Sequence, residues 1–520
     1  MNDVLDRLER NILSNDELST EHPESIAHRH PGAYQFVLCC LTIAGYTFIF
    51  SLPVTVVLLA AFIPNQIISA ADFISVSVIF IEIAIALIAA SLSATLFQLK
   101  IPLPPGRPVN ADETPKLFSL IDELNLSFSA QKLQPRIQQI KISQRFEIRI
   151  IRTPRNGFPV LFTNTLILGL PLLQCLSPKQ LKNLVSHKIT HLSGSRSRLS
   201  SWLYFSGTYW NQYNLALKKQ VKSPNIFLLV FFAWFSPLYH LLAREIEKIE
   251  CMNVDKLLTE KISAEDLSDA FIQQFICHKY LNDSFWPTLN EKAYRHSTPP
   301  YMPYSSIERN LKSKLDDITR QSWLDSALFD TSEPANAPSL SHRLKQLKIN
   351  NPPLPGFLQT SAAEYFLDKA LPVLIQQMDK VWEVSNQFSW QKKYVKGQSE
   401  LSHLNELAIQ ADQGLLSDER IWEYMQLIKR HNDEQQAIAK YREILKLNTQ
   451  DPRISFEIGH TLLEHMNKDG IKALERTMQL EEGYTVMSCQ ILTRFYARTG
   501  DSRSAQSCRR RALEYQINAA

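Results

Sequence analysis

Two apolar runs near the N-terminus set the first constraint on this 520-residue chain. Ala33–Ile63 carries no charged residue, and Phe73–Phe97 carries one, Glu82. Each exceeds the roughly 20 residues an α-helix needs to cross a bilayer. The link between them, Pro64 to Asp72, has no Lys or Arg. Arg7, Arg10 and Arg29 precede the first run, and Lys100 and Arg107 follow the second. Cations gather on the cytoplasmic side of membrane helices, so both ends are expected there. The pattern predicts a polar cytoplasmic tail at 1–32 and a two-helix hairpin at 33–99. These belong to a multi-pass protein of the inner or cytoplasmic membrane, with most of the chain cytoplasmic. Residues 1–32 are polar and mixed in charge, so no signal peptide is expected.

Glu82 sits well inside the second run. A proton or ion relay would use such a carboxylate, but a relay needs several groups and the runs offer one. A carboxylate paired within the hairpin, or against a partner subunit, is the expected state. A third apolar run, Asn225–Ala243, is about long enough to cross, but Pro237 and His240 interrupt it. A helix lying on or dipping into the membrane is an equal alternative. A crossing there would separate everything after Ala243 from what precedes it.

A net charge of +4 is too small to argue for nucleic acid as a partner. The seven cysteines are scattered with no Cys-x-x-Cys pair, which fits a reducing compartment. With only 14 glycines, the chain is expected to be helix-rich.

Ile101–Arg107 is proline-rich and reads as an extended stem. Leu117, Leu120, Ile121 and Leu124 fall on one face of a helix. Ile137–Ile151 alternates apolar and polar residues as a strand does, and Val160–Leu168 is a second strand candidate. Arg155-Asn156-Gly157 reads as the turn joining them. The expected fold is therefore mostly α with a small antiparallel sheet. Ser177 and Pro178 open a helix as cap and first residue. From about 415 the pattern changes to short paired helices. Ala437, Ala473 and Ala505 recur 36 and 32 residues apart, with Tyr441 and Leu445 one and two turns beyond the first. Small residues near that period suggest tetratricopeptide-like repeats over 399–520.

On the helix opened by Ser177, His187 and His191 lie four residues apart. Residues i and i+4 share a helical face, so both imidazoles can reach one metal ion. Zinc proteases with this layout carry glutamate directly after the first histidine, where it takes a proton from zinc-bound water. Here that position holds Lys188.

The order of features resembles the HtpX-type membrane zinc metallopeptidases, the family that includes the CAAX prenyl endopeptidases. The resemblance runs from Asn164-Thr165-Leu166-Ile167-Leu168-Gly169-Leu170-Pro171 through Leu176-Ser177-Pro178 to His187 and His191, and covers about residues 33 to 398. It implies a zincin-like domain over 100–398, in which a strand leads into the His-Glu-x-x-His helix and offers its edge to a substrate peptide. Members place a Glu-x-x-x-Asp element on a later helix, its glutamate being the third zinc ligand. Asp255 matches the aspartate, and the ligand position falls on Cys251. Phe285-Trp286-Pro287 and Pro338-Ser339-Leu340-Ser341-His342-Arg343-Leu344 resemble later segments, where members usually have histidine before the proline and this chain has Ala337.

Three chemical positions thus depart from the family. Lys188 cannot accept a proton while charged, and only a desolvated lysine with a depressed pKa could act as a base there. Cys251 keeps a zinc-binding atom, so His187, His191 and Cys251 form the candidate metal set, with zinc the expected ion if one is held. Ala337 removes a polar group. The reading is a membrane-anchored pseudoprotease that binds polypeptide or membrane-protein segments in protein quality control, or regulates an active relative, its helical repeats engaging protein partners. The rival is an active zinc metalloendopeptidase with a non-standard site, for which Glu245, Glu247 and Glu250 are the carboxylates at hand.

Overall fold

The computed structural model describes residues 30–69, 73–99, 101, 103–128, 136–154, 162–193, 198–220, 226–329, 338–432, 434–446 and 449–519. Residues 1–29 of the tail expected at 1–32, the Arg155-Asn156-Gly157 turn and Ala337 lie outside the described residues, and the first helix already begins at Pro31. The chain is mostly helical and divides into two compact units, residues 1–274 with 330–371, and residues 275–329 with 372–520.

In the first unit, α1 (Pro31–Ser69) and α2 (Phe73–Gln98) form from the two apolar runs. Helix α1 does not stop at Ile63. It passes Pro64 and adds a turn, which carries Gln66 to Glu82 (Nε2 to Oε1, 3.2 Å). The carboxylate is therefore paired within the hairpin. Phe36, Val57, Phe62 and Ile68 on α1 and Phe80 and Leu87 on α2 are largely exposed, as side chains facing hydrocarbon would be.

The third apolar run belongs to one unbroken helix, α7 (Ile226–Leu258), which continues through Pro237 where an interruption was expected. A proline inside a helix forfeits a hydrogen bond and crowds the preceding turn. Packing offsets that cost. Phe232 stacks on Tyr213 and Phe235 meets Trp210 edge-on, both partners lying on α6 (Arg198–Gln220). The Tyr239 hydroxyl donates to Leu203 O at 2.8 Å and also bonds Thr42 of α1 at 2.8 Å. Gly45 of α1 lies so close that an added Cβ would meet Phe235 and Trp210 at 2.9 Å. Three helices, α1, α2 and α7, are long and apolar enough to cross a membrane.

The sheet holds β1 (Arg107–Val109), β2 (Gln139–Ser143), β3 (Ile148–Pro154) and β4 (Phe162–Gly169), in the order β1-β2-β4-β3. It is mixed, not antiparallel as expected. β1 with β2 and β3 with β4 are antiparallel, but β2 runs parallel to β4, with Ile140 opposite Leu166. The cause is that Ile137–Ile151 makes two strands. A tight reversal at 144–147 sends β3 to the far side of β4, held by Gly169 N donating to Glu147 O at 2.8 Å. A Cβ on Gly169 would lie 1.8 Å from Arg145 O, so glycine is required there. Helix α3 (Pro115–Phe128) buries Leu117, Leu120, Ile121 and Leu124, the face expected from spacing. β4 runs directly into α4 (Leu170–Cys175), and α5 (Pro178–Ser193) follows.

Helix α8 (Ala264–Tyr280) follows α7. The second unit includes α9 (Trp286–Glu291), α10 (Pro303–Lys314) and α11 (Asp317–Phe329). The chain then contributes α12 (Leu340–Gln346) and α13 (Ala362–Leu367) to the first unit. Helix α14 (Leu371–Asp412) runs through the boundary expected at 398. Beyond it come α15 (Asp418–His431), α16 (Glu434–Ile444), α17 (Pro452–Glu464), α18 (Asp469–Leu480), α19 (Thr485–Arg498) and α20 (Ser502–Ala519). Ala437, Ala473 and Ala505 are buried on α16, α18 and α20, and Tyr441 donates from its buried hydroxyl to Met425 O at 3.2 Å.

Candidate metal centre

Helix α5 is set by a reciprocal cap. The Ser177 amide donates to Gln180 Oε1 at 2.8 Å, and the Gln180 amide donates to Ser177 Oγ at 3.3 Å. Its first turns are fastened to the start of α8. Lys179 pairs with Asp266 at 2.6 Å, Gln180 donates to Asp269 at 2.8 Å, and Asn183 donates to Asp266 O at 3.0 Å. The helix thus presents His187 and His191 on one face, ring centroids 4.8 Å apart and edge to face.

Helix α7 supplies the opposite wall. Cys251 Sγ lies 3.7 Å from His187 Nε2, and one ligand atom from each of His187, His191 and Cys251 falls within 4.8 Å of the others. Tetrahedral zinc with sulfur and nitrogen ligands at about 2.0–2.3 Å needs donors roughly 3.3–3.8 Å apart. The three side chains could close on an ion with small rotations. The donor chemistry therefore fits a metal.

The electrostatics oppose one. Asp255, one turn beyond Cys251, is fully buried, and its Oδ1 lies 3.0 Å from His187 Nε2, an acceptor for that nitrogen when it carries a proton. Arg343 of α12 grips the same carboxylate with both prongs, Nε to Oδ2 at 2.7 Å and Nη2 to Oδ1 at 2.6 Å. That Nη2 also lies 3.2 Å from His187 Nε2, and the guanidinium carbon sits 3.4 Å over the Phe271 ring. A guanidinium only donates. A neutral His187 with its lone pair on Nε2 would offer that pair to Arg343, and a metal would have to compete for it.

A cavity of about 210 Å³ opens on this group, walled by β3 through Ile148 and Ile150 and containing Lys188, Glu247 and Arg343. Burial pushes the Lys188 ammonium below its ordinary pKa, opposed by the negative charge of Cys251 and reinforced by Arg343. Burial, then His187 and Lys188, hold the His191 imidazole well below its usual range, so it is neutral near pH 7. Neutral imidazole is the metal-binding form.

Sequence spacing paired His187 with His191 around Lys188, the family resemblance added Cys251, and the structure places all four at one cavity. Of the alternative ligands, Glu247 lines the cavity. Glu245 pairs with Lys248 at 3.3 Å, and Glu250 lines a different crevice with Tyr34. His240 is exposed and His278 bonds Asn282 at 3.0 Å, both outside the candidate set. Sequence reasoning assigned no role to Arg343 or Phe271. The one available signal was Asp255, four residues after Cys251 and so on its helical face, which called for a cation.

The strand leading into the helix, β4, is flanked by β2 and β3. The sheet edge beside the histidines is β3. No protein-family model, no curated protein and no solved structure matches the chain.

Proposed function

We propose that this chain is a membrane-anchored, catalytically degenerate relative of the HtpX-type metallopeptidases that binds polypeptide segments at the cytoplasmic face. The observation that carries the reading is that Lys188 stands in place of a carboxylate and the Arg343 guanidinium lies beside His187, in the cavity that holds His187, His191 and Cys251. Hydrolysis there needs a proton acceptor beside the histidines. Loss of a general base costs about 10²–10⁴-fold in rate. Zinc would supply Lewis acidity if bound, but no carboxylate stands where the family has its base, and Lys188 in its protonated form donates protons and repels a dication. A binding role needs neither. The outer edge of β3, unpaired among the described strands, adjoins the cavity and suits main-chain pairing with an extended segment. The paired helices α15–α20, read as tetratricopeptide-like repeats, would add a second polypeptide-binding surface.

A photocrosslinking residue placed at Ile150 tests this. In membranes carrying the full chain it should capture unfolded casein and recover it intact. Absence of capture, with capture elsewhere on the surface, would overturn the reading.

Glu247 favours the rival. It shares the cavity with Lys188 and could hold a proton there, in which case the chain is an active endopeptidase with a displaced base. Replacement of Glu247 by Gln would then abolish cleavage.

A further inference from the structure

The second unit contains a cavity of about 430 Å³, twice the volume of the metal-centre cavity and within the range of about 300–1,000 Å³ typical of ligand sites. Its walls come from the segment spanning Tyr280 to Trp323 and from α17 and α19. Two arginines one turn apart on α19 face it, and they differ in their partners. Arg498 is committed to structure. Its Nη2 donates to Asp316 at 2.7 Å and to Thr319 Oγ1 at 3.2 Å, fastening α19 to the start of α11. Among the described residues Arg494 has no such tie. The Nε of both arginines is buried without a hydrogen-bond partner, so the difference lies at the outer nitrogens, and Glu464, the carboxylate sharing the cavity, is engaged by His460 at 3.2 Å. Lys314 adds a third cation to the wall.

A buried guanidinium N–H without an acceptor is costly unless a ligand completes it. The rest of the lining says what kind. Phe285, Trp323, Leu463, Ile491 and Phe495 give an apolar surface beside the charge. The cations Lys314, Arg494 and Arg498 outnumber Glu464 within the cavity, but Asp316 already takes Arg498, and Glu464 would repel a dianion. We propose that this cavity binds a singly charged carboxylate joined to an apolar group, as at the C-terminus of a polypeptide ending in an aromatic or aliphatic residue. Arg494 takes the carboxylate in a two-pronged contact and the aromatic wall takes the side chain. The assignment does not depend on the metal centre or on its loss of catalysis.

The test uses the full chain in detergent micelles and the fluorescein-labelled peptide Ala-Ala-Leu-Phe, with a free C-terminal carboxylate or as its amide, read by anisotropy. The free acid is expected to bind, with amidation weakening it at least tenfold. Arg494→Met should weaken it equally, and Arg494→Lys should restore part of the affinity while unfolding at the same temperature as the parent. Phenylpropionate, the carboxylate without the peptide, should compete, and inorganic phosphate should compete at least tenfold more weakly. Equal binding of acid and amide, no binding of either, indifference to Arg494→Met in a folded protein, or stronger competition by phosphate than by phenylpropionate would each overturn the proposal.

Discussion

Arg343 and Asp255 form a buried two-pronged ion pair, with contacts of 2.7 and 2.6 Å, and its Nη2 reaches His187 at 3.2 Å. An organic cation thus stands at the rim of a donor set that suits an inorganic one. The pair also joins α12 to α7, together with Gln346 Nε2 donating to Met252 O at 2.7 Å.

Removing either partner leaves the other charged and buried. Asp255→Asn and Arg343→Met should each cost about 3–5 kcal/mol in stability, measured by denaturant unfolding in detergent. Arg343→Lys should not rescue, because an ammonium neither forks to a carboxylate nor stacks on Phe271 in the same way.

The two substitutions should diverge in metal binding. Arg343→Met removes a cation 3.2 Å from His187 Nε2 and frees the Asp255 carboxylate. Zinc affinity should rise at least tenfold over the parent, as read by metal analysis after equilibrium dialysis. Cys251→Ser in that background should reverse the gain.

Acidification should destabilise the first unit through His191. Its folded-state pKa is depressed, whereas the unfolded chain titrates near 6.5. Between those values the unfolded chain binds a proton that the folded chain refuses, so stability falls as pH drops below about 6.5, by up to about 1.4 kcal/mol per pH unit. His191→Asn should flatten the slope of unfolding midpoint against pH between 7 and 5.

The close approach of Gly169 to Arg145 O makes a strong local prediction. Gly169→Ala should cost about 3 kcal/mol or more, since the obstructing atom is backbone and cannot rotate away. The same change at Gly356, where an added Cβ meets nothing within 4 Å, should be nearly neutral.

Much of the site was legible because it rests on local rules. Ser177 and Pro178 announced the start of α5, and the four-residue spacing put His187 and His191 on one face. Cys251 rested on the family resemblance, through the match of Asp255 to the aspartate of its Glu-x-x-x-Asp element. What escaped depends on distant partners. Pro237 reads as a helix breaker until Trp210 and Tyr213 are placed against its neighbours. The isoleucine run 137–151 reads as one strand, because the reversal at 144–147 is fixed by Gly169, more than twenty residues later. Arg343 carries no local mark of function, and its carboxylate lies 88 residues earlier in the chain.

On the proposed reading, Lys188 and Arg343 stand where hydrolysis would need a proton acceptor, and binding takes the place of cleavage. The most direct test is cleavage of fluorescent casein by the purified full chain, supplied with zinc and assayed with and without a chelator, beside the double variant Lys188→Glu with Cys251→Glu. No chelator-sensitive cleavage is expected from the parent. Zinc-dependent cleavage by the parent, abolished by the chelator and by His187→Ala, would contradict the account.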